Sequence, residues 1–154
     1  MEELGFRVAI WNGQEPMIGL SASVGKYPGT PGLMNSFVLE LPAPLGDAAR
    51  LYDHDVAVSL MKAIAASWEP DWATWTSGSL RSAQDAPPRT PVVGWLTFLS
   101  RGRLKADSAA DVGAEQLAAG WLVSVGDEIS VADVDSVLEL RRTLDAAGAM
   151  GPTP

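Results

Sequence analysis

Alternation of side-chain type in the first forty residues constrains the fold more than any other feature of the sequence. Phe6, Val8 and Ile10 alternate with a second set that includes Arg7, which is the period-two pattern of a half-buried strand. Residues 17–24 and 37–41 form two further strand-like runs, the last of them stopped by prolines. Because consecutive strands usually pair with each other, we expect an antiparallel meander of three strands.

Glycine and proline mark the connections between these strands. Asn12-Gly13 is typical of a tight hairpin. Residues 25–32 hold three glycines and two prolines, but their spacing matches neither a phosphate-binding loop nor a dinucleotide fingerprint. The prolines also lack the N–H groups that a phosphate cradle uses. We therefore expect a connector loop there.

The first clear helix signal runs from about Asp53 to Trp68. Asp53 or Asp55 can accept hydrogen bonds from the free N–H groups of the first turn, and Pro70 follows shortly after the end. Apolar side chains at i, i+4 spacing predict the buried stripe of an amphipathic helix that covers a sheet. They are Val56, Leu60, Ile64 and Trp68, flanked by Ala57, Met61 and Ala65.

The second half of the chain alternates between strand-like and weakly patterned segments. Residues 92–99 and 120–125 are rich in β-forming side chains and predict two strands. Residues 101–116 show no strong period and predict at most one irregular strand. Trp95 and Trp121 each follow a glycine in an apolar run, and we expect both in the core.

The last helix has signals at both ends. Ser130, followed three residues later by Asp133, resembles a capping box. Gly148 stands where a left-handed C-cap would fall. The apolar side chains between these ends predict the buried stripe, namely Val134, Val137, Leu138 and Leu144.

Together these elements predict an α+β fold, in which a mainly antiparallel sheet is covered by the helix at 53–68 and by a C-terminal helix. The chain has 154 residues, the usual length of one domain, and can bury a core without disulfides. We expect a single domain over residues 1–150. Residues 151–154, Gly-Pro-Thr-Pro, predict a loose tail.

The composition argues against most catalytic and metal-binding chemistry. The chain has no cysteine and one histidine, His54, whereas catalytic zinc usually needs several such ligands. No Gly-x-Ser-x-Gly elbow is present, and no serine is marked as a partner of His54, which we expect on the surface. A carboxylate-only magnesium site stays open. We assign no catalytic residue, no metal site and no cofactor, and we expect a protein that is not an enzyme.

Paired carboxylates are the remaining candidates for acid–base work. The obvious pairs are Glu69 with Asp71 and Asp127 with Glu128. Both pairs stand near the ends of predicted elements, where acids serve solvation and helix capping. We therefore expect neither pair to catalyse a reaction.

Nineteen acids against eleven bases give the chain a net charge of −8. This field repels phosphate backbones, so we expect no direct binding of nucleic acid, and it attracts a basic partner. Two acids follow Met1 where a secretory signal carries bases. No apolar stretch approaches the ~20 residues that cross a bilayer. We expect a cytoplasmic protein without membrane contact.

Tryptophan is frequent, and Trp68, Trp72 and Trp75 fall within eight positions. A helix would place these three on one face, and a strand would place them on mixed sides. Either they cover the sheet, or one or two lie exposed among acids as anchors of a protein interface. The segment 40–71 contains six acids and two bases. An acidic rim beside exposed aromatic rings would suit a cationic partner.

Two regions of the sequence also form recognisable blocks. The first is Trp-Glu-Pro-Asp-Trp-Ala-Thr-Trp at 68–75, followed by Pro-Val-Val-Gly-Trp-Leu-Thr-Phe-Leu-Ser-Arg at 91–101. The second is Gly-Trp-Leu-Val-Ser-Val-Gly-Asp-Glu at 120–128, before a helix that ends in Leu-Asp-Ala-Ala-Gly at 144–148. In these blocks the chain resembles the immunity protein 52 family of bacterial polymorphic-toxin systems.

The resemblance implies an α+β protein that protects its producer by binding a cognate toxin. Toxins paired with this family are often predicted nucleases of a restriction-endonuclease fold. The family pattern falls on Trp72, Gly94 and Trp95 as signature positions, which serve either the fold or the contact. An adaptor or chaperone for a secreted effector protein is the alternative function, and a carboxylate-dependent enzyme is a third.

The acid-rich segment and the tryptophan cluster together predict where a toxin with a basic surface would bind. The predicted toxin-binding residues combine four acids with two aromatic side chains. They are Asp53, Asp55, Glu69, Asp71, Trp72 and Trp75.

Overall fold

The computed structural model describes residues 6–24, 35–87, 90–129 and 132–152, so the connector predicted at 25–32 and the cap predicted at Ser130 lie outside it. Strands and helices occupy both halves of the described chain. In chain order they are β1 (Phe6–Trp11), β2 (Gly19–Val24), β3 (Ser36–Glu40), a 3-10 helix (Gly46–Tyr52), α1 (His54–Trp68), β4 (Trp72–Trp75), α2 (Gly78–Ala83), β5 (Leu96–Ser100), α3 (Ala106–Asp111), β6 (Glu115–Gln116), β7 (Gly120–Ser124) and α4 (Val134–Ala146). Two antiparallel sheets with helices confirm the predicted α+β class.

The chain divides into two compact units, and the smaller one, Met1–Arg50, contains the predicted meander. Its strands pair in the order β1-β2-β3, and both pairs are antiparallel. Ile10 stands opposite Leu20, which stands opposite Leu39. Because cross-strand partners share a face, the predicted alternation produces one wholly apolar side of this sheet.

The predicted tight turn at Asn12-Gly13 is wrong, because the connection between β1 and β2 runs to Ile18. The Asn12 N–H donates to the Ile18 carbonyl at 3.0 Å. The Asn12 side chain accepts from the Ile18 N–H at 3.1 Å and donates to the Pro16 carbonyl at 2.9 Å. Gly13 does adopt the positive φ, +74°, that its turn signal indicates. The asparagine therefore closes a longer loop through its side chain.

The larger unit, Leu51–Pro154, contains a four-stranded sheet in the order β4-β5-β7-β6. β5 and β7 confirm the two predicted strands, although β5 begins at Leu96. Residues 91–99 are all buried. Across the sheet, Trp75 pairs with Leu96, which pairs with Ser124. These three side chains therefore share one face.

A glutamine side chain satisfies the buried backbone just before β5. Gln84 is 7% exposed, and its amide donates to the Val93 carbonyl at 2.7 Å while it accepts from the Val93 N–H at 2.8 Å. This pair of bonds mimics one rung of a β-ladder. Arg141 of α4 adds bonds to Gln84 Oε1 at 3.2 Å and to the Pro91 carbonyl at 2.9 Å. The polar groups of a buried segment are thus paired, as burial requires.

Helix α1 begins and ends close to the predicted bounds, but its buried stripe is displaced by one position. Ala57, Met61 and Ala65 are buried, whereas Val56 and Trp68 of the predicted stripe are each 42% exposed. The helix packs against β5. The two alanines allow its backbone to approach the sheet closely, so the residues that the sequence placed beside the stripe form its buried centre.

Helix α4 confirms one predicted cap and corrects the other. It starts at Val134, and its N-cap is Asp133, whose carboxylate accepts from the Ser136 N–H at 2.8 Å. Hydrogen bonds from the backbone and the side chain of Ser136 lower the pKa of Asp133. Gly148 has a φ of +76°, and the following N–H, of Ala149, donates to the Leu144 carbonyl at 2.9 Å. This is the Schellman pattern that the glycine predicted.

The predicted contents of two other segments need correction. Val134 is 40% exposed and does not belong to the buried stripe of α4, although Val137 and Leu144 do. Residues 101–116 contain helix α3 as well as the two-residue strand β6. A six-residue helix presents fewer than two turns of periodicity, so its sequence shows little pattern.

Arg103 joins the start of β4 to the end of the chain. Its side chain is 8% exposed, and Nη2 lies 2.6 Å from Asp71 Oδ2. Nη1 donates to the carbonyls of Ala149 at 3.1 Å and Gly151 at 2.8 Å. The first residue of the predicted loose tail is therefore held through its carbonyl oxygen.

Gly94 packs so closely on β4 that we expect Gly94→Ala to destabilise the protein. A Cβ there would overlap the Trp75 carbonyl oxygen and lie 2.6 Å from Thr74 Oγ1. We expect the free energy of unfolding, measured by urea denaturation, to fall by about 1–3 kcal/mol. Gly78→Ala is the control, because a Cβ at Gly78 meets no atom within 4 Å. Equal stability of the two variants would contradict this packing.

Replacing Arg103 tests the contact between β4 and the C-terminal end. Arg103→Ala leaves Asp71 and two backbone carbonyls without their shared donor, and we expect the free energy of unfolding to fall by about 3 kcal/mol. Arg101→Ala is the matched control, since exposed Arg101 makes one long bond, 3.4 Å, to the Leu117 carbonyl. We expect a change below about 0.5 kcal/mol for that control in the same urea titration. Similar losses in both variants would refute the assigned role of Arg103.

Candidate functional site

The first acidic candidates lie at the N-terminal end of α1. Asp53 is the N-cap residue, but its side chain forms no capping hydrogen bond. Asp53 and Asp55 are both exposed. Both carboxylates therefore carry their negative charge at an exposed position.

His54, between these two acids, is not the surface side chain that the sequence predicted. Only 29% of its side chain is exposed. The imidazole packs edge-on against the Trp95 ring with centroids 6.0 Å apart, and Nε2 lies 3.3 Å from Ser124 Oγ. The acids beside His54 in the sequence do not indicate its contacts with Trp95 and Ser124, which lie 41 and 70 positions away.

Ser124, His54 and Asp55 are the residue types of a hydrolytic triad, but their geometry does not form one. Asp55 Oδ1 lies 3.9 Å from His54 Nδ1, beyond hydrogen-bond distance, and the aspartate side chain is wholly exposed. A triad requires a buried acid that holds the imidazole by a hydrogen bond. The His54–Ser124 contact therefore serves to join α1 to the end of β7.

The remaining acidic candidates lie at the other end of α1. Glu69 is exposed and adopts a left-handed conformation with a φ of 46°. Asp71 accepts from Ser100 Oγ at 3.0 Å and from Arg103 Nε at 2.7 Å. Asp71 is thus held by internal bonds, whereas Glu69 projects its charge outward.

The two tryptophan candidates belong to β4 and lie on opposite sides of the sheet. Trp72 is half-buried, whereas Trp75 is 9% exposed. The Trp75 ring makes edge-on contacts with Tyr52 at 5.8 Å and with Trp95 at 5.9 Å between centroids. The alternative that tryptophans cover the sheet therefore describes Trp75. Burial also raises the pKa of Tyr52.

Trp95 lies at the centre of this aromatic cluster. It is wholly buried, as predicted, and its indole N–H has no hydrogen-bond acceptor among the described residues. Trp121, the other tryptophan predicted in the core, is half-buried and donates to the Leu104 carbonyl at 2.9 Å.

The structure brings the six predicted contact residues together in two groups rather than one. Asp53 and Asp55 lie at one end of α1, and the other four candidates lie at or beyond its far end. The 1.5 Å rise per residue separates Asp55 from Glu69 by about 20 Å. All six remain predictions as toxin contacts. Four of them present surface, and Asp71 and Trp75 have internal partners.

Two further acids, Asp111 and Glu139, were not singled out from the sequence. Both line a surface depression of about 290 Å³ between the end of α3 and α4. The sequence offered one weak signal, the i, i+4 acid pairs 107/111 and 135/139. Nothing local shows that residues 28 positions apart face each other.

Two absences hold for the described ranges of the chain. No group of three or more His, Asp or Glu side chains is arranged there to hold a metal ion. No helix in the same ranges has the length and apolar character needed to cross a membrane.

Comparison with known proteins gives one match. The model of the immunity protein 52 family matches residues 1–153, which is nearly the whole chain. No curated protein and no solved structure matches significantly. The match includes the first forty residues, where the sequence blocks offered no likeness. The chain therefore belongs to the immunity protein 52 family, whose members are immunity proteins of toxin systems.

Proposed function

We propose that this protein neutralises a cognate toxin by binding it directly through an acidic surface of the larger unit. The observation that carries the proposal is family membership over residues 1–153. Residues 51–154 contain fourteen of the nineteen acids and eight of the eleven bases, so this part of the chain has a net charge of −6. The toxin that suits such a surface has a basic face.

A nuclease, such as one of restriction-endonuclease fold, is the toxin class that best fits this charge. An enzyme that cleaves nucleic acid must hold a phosphate backbone, and Lys and Arg side chains supply that attraction. An acidic protein bound over the same basic face excludes the substrate. Inhibition on this proposal requires no catalytic group in the immunity protein, which acts in the cytoplasm where the toxin would cause damage.

The predicted contact residues differ in their exposure to solvent, so we expect them to contribute to toxin binding in different ways. Asp53, Asp55 and Glu69 are exposed, and exposed charges chiefly accelerate encounter with an oppositely charged partner. Trp72 is half-buried and belongs with Glu69 to the group at the far end of α1. Asp71 and Trp75 support this surface from within, through their bonds and ring contacts.

The direct test uses the toxin encoded by the neighbouring reading frame. We expect co-expression of this protein to restore growth of cells that produce the toxin, and the purified pair to form a one-to-one complex. In a plasmid-cleavage assay we expect stoichiometric loss of nuclease activity. An adaptor would leave the toxin active while changing its stability or delivery. Absence of both binding and protection would refute the proposal.

Charge reversal at the start of α1 tests electrostatic steering. The double variant Asp53→Lys, Asp55→Lys removes no capping hydrogen bond. We expect stopped-flow measurements at low salt to show roughly tenfold slower association with the toxin. The difference should shrink as salt rises, because ions screen exposed charges. Glu40→Lys together with Asp47→Lys, in the smaller unit, is the control of equal charge change, and equal slowing there would exclude a local effect.

A further inference from the structure

Four apolar residues help to line the depression between α3 and α4. Val123 and Val125 lie at the end of β7, and Val112 and Leu140 flank them from α3 and α4. Its volume of about 290 Å³ lies at the lower limit of small-molecule sites, which span ~300–1,000 Å³. A space of this size suits a side chain of a partner protein better than a cofactor.

The rim of this groove has one sign of charge. Asp111 and Glu139 are the ionisable residues that line it. Both are exposed, and neither forms an ion pair with a described residue. The groove thus combines apolar side chains with two carboxylates from different helices, neither of which is in an ion pair with a described residue.

Ser124 connects the groove to the acidic end of α1. Ser124 is one of the residues that line the depression, and its hydroxyl lies 3.3 Å from His54 Nε2. Because His54 stands between Asp53 and Asp55, these two exposed acids lie near the same end of β7. The groove and the acidic end of α1 therefore both lie at the Ser124 end of β7.

We propose that this groove receives an arginine or lysine side chain of the cognate toxin. The aliphatic part of that side chain lies on the valines and Leu140, and its cationic head lies between Asp111 and Glu139. Long basic side chains bury their stems on apolar surface in this way while their charges are paired. Charges paired away from water attract more strongly than charges on an open surface. The inference rests on the proposed function and adds the place where the complex is held.

Dissociation kinetics test this role separately from steering. The double variant Asp111→Asn, Glu139→Gln keeps the shape of the groove and removes its charge. We expect its complex with the purified neighbouring toxin to dissociate at least about tenfold faster, with little change in association rate. Asp145→Asn is the control on α4, because this exposed acid does not line the groove. A wild-type dissociation rate for the double variant would overturn the proposal.

A steric variant gives a second, charge-neutral readout. Thr143 is exposed and lines the groove, so Thr143→Trp fills the space without altering net charge. We expect a similar loss of affinity, with an unchanged circular dichroism spectrum. Wild-type affinity for a folded Thr143→Trp variant would exclude insertion into the groove.

The two proposals fail in different ways. If the wild-type protein does not bind the toxin, both are refuted. If the wild-type protein binds and the groove variants bind with unchanged affinity, toxin neutralisation stands and the groove assignment is wrong.

Discussion

The larger unit depends on hydrogen bonds to the polar groups of a fully buried stretch of backbone at residues 91–99. An unpaired backbone polar group in such a place costs as much as a lost hydrogen bond. β4 and β7 pair with the strand part of this stretch. Before the strand, Gln84 bonds both backbone groups of Val93, and Arg141 bonds the Pro91 carbonyl. Helices α2 and α4 are thus tied to the sheet by polar bonds as well as by apolar contact.

The same constraint explains why Gly94 and Trp95, two positions marked by the family resemblance, serve the fold. Gly94 lies against the β4 backbone where a side chain would overlap the Trp75 carbonyl. Trp95 is wholly buried between the rings of His54 and Trp75. Such residues hold the molecule in shape and offer no surface to a partner. The proposed toxin contact therefore requires side chains outside this core, such as the exposed acids.

The two pairs of acids proposed to bind the toxin would contribute in different ways. Exposed carboxylates at Asp53 and Asp55 act over a distance and are screened by salt. Asp111 and Glu139 line a depression together with apolar side chains, and their carboxylates would act only after contact. The contact of His54 with Ser124 places the two pairs near one end of β7. A partner attracted by the first pair would meet the second at short range.

Features whose causes lie within a few residues could be predicted from the sequence alone. The alternation at Phe6–Trp11 predicted a strand, and Gly148 predicted a left-handed cap because only backbone freedom and neighbouring bonds are involved. Tertiary structure decided which side of α1 is buried, through the close approach that Ala57 and Ala65 allow. It also gave Asp71 a partner 32 positions away and brought Asp111 and Glu139 into the lining of one depression. Those arrangements depend on how separate elements pack, and no local pattern contains that information.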